Sequence, residues 1–325
     1  MKVLVTGGGG FLGARLARKL LERGELGGQR ISGIIVLDSK VSKYAALRVV
    51  EGDIADPAVL ESAVEKDTAA VFHLAAVVSG AAEADFDLGM RVNLDGTRRL
   101  LEKLRGCERP PRVVFASSVA AFGGELPEVL DDATTPRPQT SYGTQKVIGE
   151  YLVSDFTRKG YIDGRSLRLP TIVVRAGKPN AAASSFASGV IREPLSGAIS
   201  ECPVAPETGV WLLSPRRVVE AFIHALELPP QAWGANRVVN LPGITVTVAQ
   251  MLAALKRLAG AEVAARVAWK PDARVQAIVK TWPVRFRTPR ALALGFKADP
   301  DIESVIRDYI TDEKNRGQSP NSGNA

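Results

Sequence analysis

The sequence predicts an α/β protein: a doubly wound parallel sheet with a smaller, mostly C-terminal α/β lobe. Three observations carry this. A five-residue apolar strand, Lys2–Thr6, runs straight into the glycines Gly7-Gly8-Gly9-Gly10 and Gly13. Apolar runs suited to buried strands then alternate with helical patterns through the first half, a rhythm that gives parallel strands covered on both faces. The second half loses that rhythm and turns to short elements.

The first element pair is the most informative. Residues 2–6 form a strand and residues 11–23 an amphipathic helix, with a glycine turn between them. Glycine allows φ > 0 and lets a diphosphate approach the backbone, and the helix turns its free N–H groups and positive dipole end toward it. This is the opening of a Rossmann-type dinucleotide-binding βαβ unit. The spacing is Gly7-x-x-Gly10-x-x-Gly13, looser than G-x-G-x-x-G, so the strand–turn–helix context carries the reading; a tight turn without ligand is the plain alternative. The second strand, 33–37, ends on Asp38, 25 residues after Gly13. A carboxylate there accepts from ribose hydroxyls and repels a 2′-phosphate, which favours NAD over NADP, although Lys40 and Lys43 stand close by.

Further strands are expected at 47–50, 70–74, 112–117 and 166–169, and helices at 57–66, 89–105 and 141–159. Asp53, His73-Leu74-Ala75-Ala76 and Ser117-Ser118 then fall just past strand ends, where ligands of such sheets lie. Residues 176–215 are rich in Ala, Ser, Pro and Gly; a helix follows at 216–228, a strand at 238–241 and a helix at 247–258. The expected organisation is a nucleotide-binding domain over 1–175, with 210–241 returning to it. Residues 176–209 and 242–314 form a substrate-binding domain. Residues 315–325 carry no core-forming side chains and are expected to be a disordered tail.

Composition narrows the function. With 325 residues, 46% apolar and 24% charged, the chain reads as an ordinary globular protein, without a membrane span or secretory signal. Two cysteines and two histidines provide neither a disulfide framework nor a metal-ligand cluster, so no metal and a cytoplasmic enzyme are expected. The net charge of +7 is spread along the chain rather than run together. It suits a field for anionic cofactor and substrate, or a solvated basic surface, better than nucleic-acid binding. His73 reads as structural and His224 as a core residue.

The chemistry is written in Tyr142-Gly-Thr-Gln-Lys146. At i and i+4 both side chains leave one helix face. An ammonium there is expected to stabilise the phenolate and pull the phenol below its usual value near 10, making it a proton acceptor for an alcohol. Ser118, at the end of its strand, can donate to the same oxygen.

On these residues the chain resembles the extended short-chain dehydrogenase/reductase superfamily, in its NAD-dependent epimerase/dehydratase branch. Thr6 to Gly13, Asp53-Ile54, His73 to Ala76, Asn93 to Thr97, Ser117-Ser118 with Phe122-Gly123, and Tyr142-x-x-x-Lys146 follow its order over roughly residues 1–310. The resemblance implies catalysis by Ser118, Tyr142 and Lys146. It implies cofactor contacts from Gly7, Gly10, Phe11, Leu12, Gly13, Asp38, Asp53 at the adenine, Ile54, Leu74, Ala75, Ala76, Asn93, Ser117, Tyr142 and Lys146, with Pro170 and Thr171 flanking the nicotinamide. It also implies a possible homodimer through helices that include the one carrying Tyr142.

A second stretch, Arg175-Ala-Gly-Lys178-Pro-Asn180 with Ser184-Ser185-Phe186, resembles a subgroup that oxidises a four-carbon sugar acid, D-erythronate, with NAD. Ala176 stands where that subgroup is expected to have proline. Arg175, Asn180, Ser184 and Ser185, with Ser118 and Tyr142, are the expected substrate contacts, and Ser184 or Ser185 can open a helix toward a carboxylate. A small-residue helix packed closely on a neighbour is the alternative. Arg216 and Arg217 either support the acid-binding end or are solvated. The rival functions are a nucleotide-sugar epimerase or dehydratase that keeps NAD bound, and a non-catalytic NAD sensor.

Overall fold

The computed structural model describes residues 1–41, 46–177 and 183–317. Seven parallel strands form the central sheet. From one edge the order is Val238–Asn240, Asp163–Leu169, Arg112–Ser118, Thr68–His73, Lys2–Thr6, Gly33–Asp38 and Arg48–Glu51. Chain order reverses beside Lys2–Thr6, which makes the crevice where a ligand settles in a doubly wound sheet.

Strand alternation divides the core. Val3 and Val5 face the helices Phe11–Arg23 and Pro215–Glu227, in one cluster with Leu16, Leu20 and Phe222. Leu4 faces the other way, toward Leu60, Leu101 and Val153 from the helices Pro57–Ala63, Gly96–Leu104 and Ser141–Arg158. Apolar residues on both faces are what a sheet covered on both sides requires.

A separate core lies C-terminal to the sheet. Phe186, Val190, Leu212, Met251, Leu255 and Ile306 meet there. They come from the helices Ser185–Leu195, Val248–Ala259 and Ile302–Gly317 and from a small sheet in which Gly209–Leu213 pairs antiparallel with Ile244–Thr247 and parallel with Thr171–Ile172. A buried carboxylate ties this lobe to the Pro215–Glu227 helix: Asp299 accepts from the Ser214 N–H at 2.7 Å and its hydroxyl at 2.8 Å. Arg216 pairs with Asp308 at 2.6 Å and Arg217 lies 3.9 Å from Asp299, so both arginines serve this joint.

The structure departs from the sequence reading in particular places. The expected helix over 89–105 begins as a π-helical segment, Met90–Asp95, before Gly96–Leu104 continues as α-helix. The helix expected to reach residue 66 ends at Ala63, and the last helix runs to Gly317, inside the stretch expected to be a tail. Residues 318–325, Lys43, Lys178 and Asn180 lie outside the described residues. Among the described residues no helix is long and apolar enough to cross a membrane, and no group of three or more His, Cys, Asp or Glu could hold a metal ion.

Candidate active site

The C-terminal ends of the strands open on a cavity of about 1170 Å³ between the sheet and the second lobe. At one end the chain leaves Thr6 through Gly7, whose φ is +70°. A Cβ on Gly7 would lie 2.6 Å from the Ala75 nitrogen, and one on Gly13 would lie 2.1 Å from the Gly7 carbonyl oxygen. Both positions therefore require glycine. The first intrahelical bond, from Ala14 N–H to Gly10 carbonyl at 2.9 Å, leaves the preceding N–H groups at the cavity rim. Phe11, Leu12 and Gly13 line that rim.

Asp38 closes the second strand. Its Oδ2 accepts the Gly9 N–H at 3.0 Å and its Oδ1 the Lys40 N–H at 3.3 Å, so the carboxylate is oriented beside the glycine turn. Asp53 and Ile54 line the cavity farther along; Asp53 accepts the Ala55 N–H at 2.9 Å and is paired with Arg91. Leu74, Ala75 and Ala76 form the floor. Behind that floor His73 bridges Thr6 at 2.7 Å and Thr97 at 2.9 Å; burial holds its imidazole neutral, with a pKa pushed down to about 3. His224, half-buried, sits within 2.7 Å of the Leu294 carbonyl oxygen and packs edge-on against Phe296.

At the other end stand Ser118, Tyr142, Lys146, Pro170, Thr171, Arg175 and Ser184. Thr140 caps the helix by accepting the Gly143 N–H at 3.1 Å, which brings Tyr142 and Lys146 onto the first turns over the strand ends. The Lys146 Nζ lies 5.5 Å from the centre of the Tyr142 ring and 4.8 Å from that of Phe115. Ser118 hydrogen-bonds the phenol.

Electrostatics here correct the sequence reading. The phenol is not lowered: burial pushes it up to about 12, and the Ser118 hydrogen bond and the Arg175 charge only partly offset that. Burial also draws Lys146 down to about 8, against the field of Glu150. Arg175 thus adds a positive charge acting on the phenol. Its main chain is fixed from both sides, its N–H donating to Ser188 Oγ at 3.0 Å and its carbonyl accepting from Arg192 at 2.7 Å.

Two expected contacts lie off the cavity, and a third lines it with its hydroxyl already engaged. Asn93 does not line the cavity; it is buried one layer behind, accepting the Val77 N–H at 2.7 Å and donating to the Val77 carbonyl at 3.0 Å and to Gln145 at 2.7 Å. Ser117 borders the cavity but gives its hydroxyl to Glu150. The helix Ser185–Leu195 does start at this point, yet Ser184 makes no side-chain cap bond and reaches the cavity, whereas Ser185 does not line it. Neither Arg216 nor Arg217 lines it. Arg91, Trp211 and Trp282 also line the cavity and were not singled out; isolated residues without a partner in sequence gave no motif to find them by.

A dinucleotide fits these groups. The glycine cradle and helix end suit a diphosphate, Asp38 suits ribose hydroxyls, and the cavity continues unbroken from there to Tyr142.

The comparisons agree with this geometry. Residues 3–238 match the model of the NAD dependent epimerase/dehydratase family, and the chain belongs to that family. Within it, the chain is 59% identical over 319 residues to a D-erythronate dehydrogenase of Cupriavidus necator, covering 96% of this chain and 98% of that one. It is 45% identical to a D-erythronate dehydrogenase of Haemophilus influenzae over 95% of this chain and 99% of that one. A crystal structure described as a nucleoside-diphosphate-sugar epimerase from Agrobacterium tumefaciens superposes with a TM-score of 0.92, 39% identity, 97% of this chain and 95% of that chain.

Proposed function

We propose that this chain oxidises D-erythronate at C2 to 2-dehydro-D-erythronate, with NAD preferred to NADP. The observation that carries the reading is that Ser118, Tyr142, Lys146 and Arg175 meet at one end of a cavity whose other end is a glycine cradle with Asp38 beside it. The likeness to two D-erythronate dehydrogenases over nearly the whole chain supports the choice of acid.

Gly7, Gly10 and Gly13 admit the cofactor's diphosphate, and Asp38 takes ribose hydroxyls and disfavours a 2′-phosphate. Asp53, Ile54 and the 74–76 floor would hold the adenine side, and Pro170 and Thr171 would flank the nicotinamide. When bound, the oxidised nicotinamide supplies a hydride acceptor and a positive charge. Arg175 receives the substrate carboxylate, which sets the adjacent C2 hydroxyl toward Ser118 and Tyr142; Ser184 is placed for a further hydroxyl. Ser118 orients the hydroxyl by hydrogen bond. Tyr142 Oη accepts its proton as the C2 hydrogen departs with its electron pair. Lys146 keeps positive charge beside the Tyr142 oxygen that takes the proton, and would hold the cofactor's ribose hydroxyls. Such proton transfer by a placed side chain contributes about 10²–10⁴ in rate.

The A. tumefaciens structure's description favours a second reading, a nucleotide-sugar epimerase that regenerates its cofactor each cycle. A screen of C3–C6 aldonates and a nucleotide-sugar with NAD separates them. Net NADH absorbance with D-erythronate is expected; none with any aldonate, and product from the nucleotide-sugar, would favour the epimerase.

A further inference from the structure

Below Lys146 a second polar cluster is sealed in the protein. Glu150 lies one helical turn beyond Lys146 and is 3% exposed. Arg168, from the neighbouring strand, donates to both its oxygens, Nε at 2.9 Å and Nη2 at 2.7 Å. Ser117 donates its hydroxyl to the same carboxylate. The guanidinium rests over the Phe122 ring at 4.9 Å and reaches Asn240 at 3.4 Å.

A buried ion pair is a weak source of stability, since well-packed apolar residues often serve as well or better. A charged pair at this spot therefore calls for another use. Three strands, 112–118, 163–169 and 238–240, are tied through it to the helix that carries Tyr142 and Lys146.

We propose that Glu150 is a positioning residue for the reaction: anchored by Arg168 and Ser117, it fixes the height of the Tyr142 helix on the strand ends and keeps the Lys146 ammonium charged beneath the phenol. This rests on the roles given above to Tyr142 and Lys146. The other groups around Lys146 leave this task to Glu150. On its own helix stands the phenol; from 112–118 come the Phe115 ring and the serine hydroxyls; from 68–73 comes His73, neutral. From 163–169 comes Arg168, engaged by Glu150; beyond the phenol lies Arg175. Glu83, on the packed helix Ser79–Ala84, is taken by the Ser141 N–H at 2.9 Å, Asp53 by Arg91, and Asn93 by Gln145 and Val77. Glu150 is the carboxylate whose field reaches Lys146 and opposes its loss of charge on burial.

The test is competitive acetylation of the ligand-free protein across pH, with Lys146 labelling read by peptide mass spectrometry, beside the pH profile of kcat/KM. In Glu150→Gln the Lys146 labelling midpoint is expected to fall by about one pH unit, and the alkaline limb of kcat/KM to fall with it. Because Glu150→Gln strands the Arg168 charge, Glu150→Gln/Arg168→Met is measured too; its melting temperature is expected to recover toward wild type while the midpoint stays below wild type. A wild-type midpoint in both variants, whatever their melting temperatures, would overturn the proposal. Labelling is read without substrate, so a midpoint that falls supports it even if D-erythronate proves to be the wrong acid.

Discussion

Tyr142 shows how far the chemistry depends on what enters the cleft. Alone it is a reluctant acid, raised to about 12 by burial. The proposed reaction needs a proton acceptor near neutral pH, and there added positive charge beside Arg175 and Lys146 brings the phenol down. Tyr142→Phe is expected to bind NAD normally by calorimetry and to lose about 10²–10⁴ in kcat; turnover within a few-fold of wild type would remove Tyr142 from the mechanism. His73 gives a pH signature of another kind. The unfolded chain takes up a proton below the ordinary histidine value of 6.5, which the folded chain refuses until about 3. The unfolded state then binds more protons, so stability falls as pH drops through that interval, by up to about 1.4 kcal/mol per pH unit. His73→Gln, measured by urea midpoints from pH 6.5 to 4.5, is expected to flatten that slope while lowering stability at pH 7.

At the level of elements, the glycine turn is the most constrained. A methyl at position 13 collides with the Gly7 carbonyl, and relieving such overpacking costs about 1–3 kcal/mol. Gly13→Ala is expected to weaken NAD binding by about tenfold or more, read by titration calorimetry; an unchanged Kd would show that the phosphates lie elsewhere. This turn was legible in the sequence because its strand, glycines and helix are contiguous. So were Asp38 and the Tyr142–Lys146 pair, which depend on strand ends and helical spacing. The π-helical segment at Met90–Asp95 was not legible, because its register is set by Asn93 gripping Val77 and Gln145, contacts distant in sequence. The strands Gly209–Leu213 and Ile244–Thr247 exist by pairing with each other, and the former also with Thr171–Ile172, which no local pattern records. The final helix did carry a local signal, Ile302, Val305, Ile306 and Tyr309 on one face with Asp301 accepting the Ser304 N–H, that was passed over. The Tyr142–Lys146 spacing revealed which groups meet but not their protonation, which burial decides.

For the whole molecule, the consequence of the fold is that one cavity joins the glycine turn on the sheet to the Ser118, Tyr142 and Arg175 end beneath the second lobe. The net charge of +7 favours anionic ligands in general, but much of the basic surface is already engaged: Arg15 with Asp312, Arg98 with Glu102, Arg216 with Asp308. Screening confines such surface charge to about 8–10 Å in ordinary salt. In the proposed reaction, recognition of the acid therefore falls to Arg175 inside the cleft rather than to the outer field. The account stands or falls on a hydrogen leaving C2 of the acid under the Tyr142 phenol. D-Erythronate deuterated at C2 is the direct measurement, with the nicotinamide product examined by mass spectrometry after turnover with NAD. The label is expected in the NADH that accumulates; NADH that forms without the label, or no NADH from this acid at all, would contradict the account.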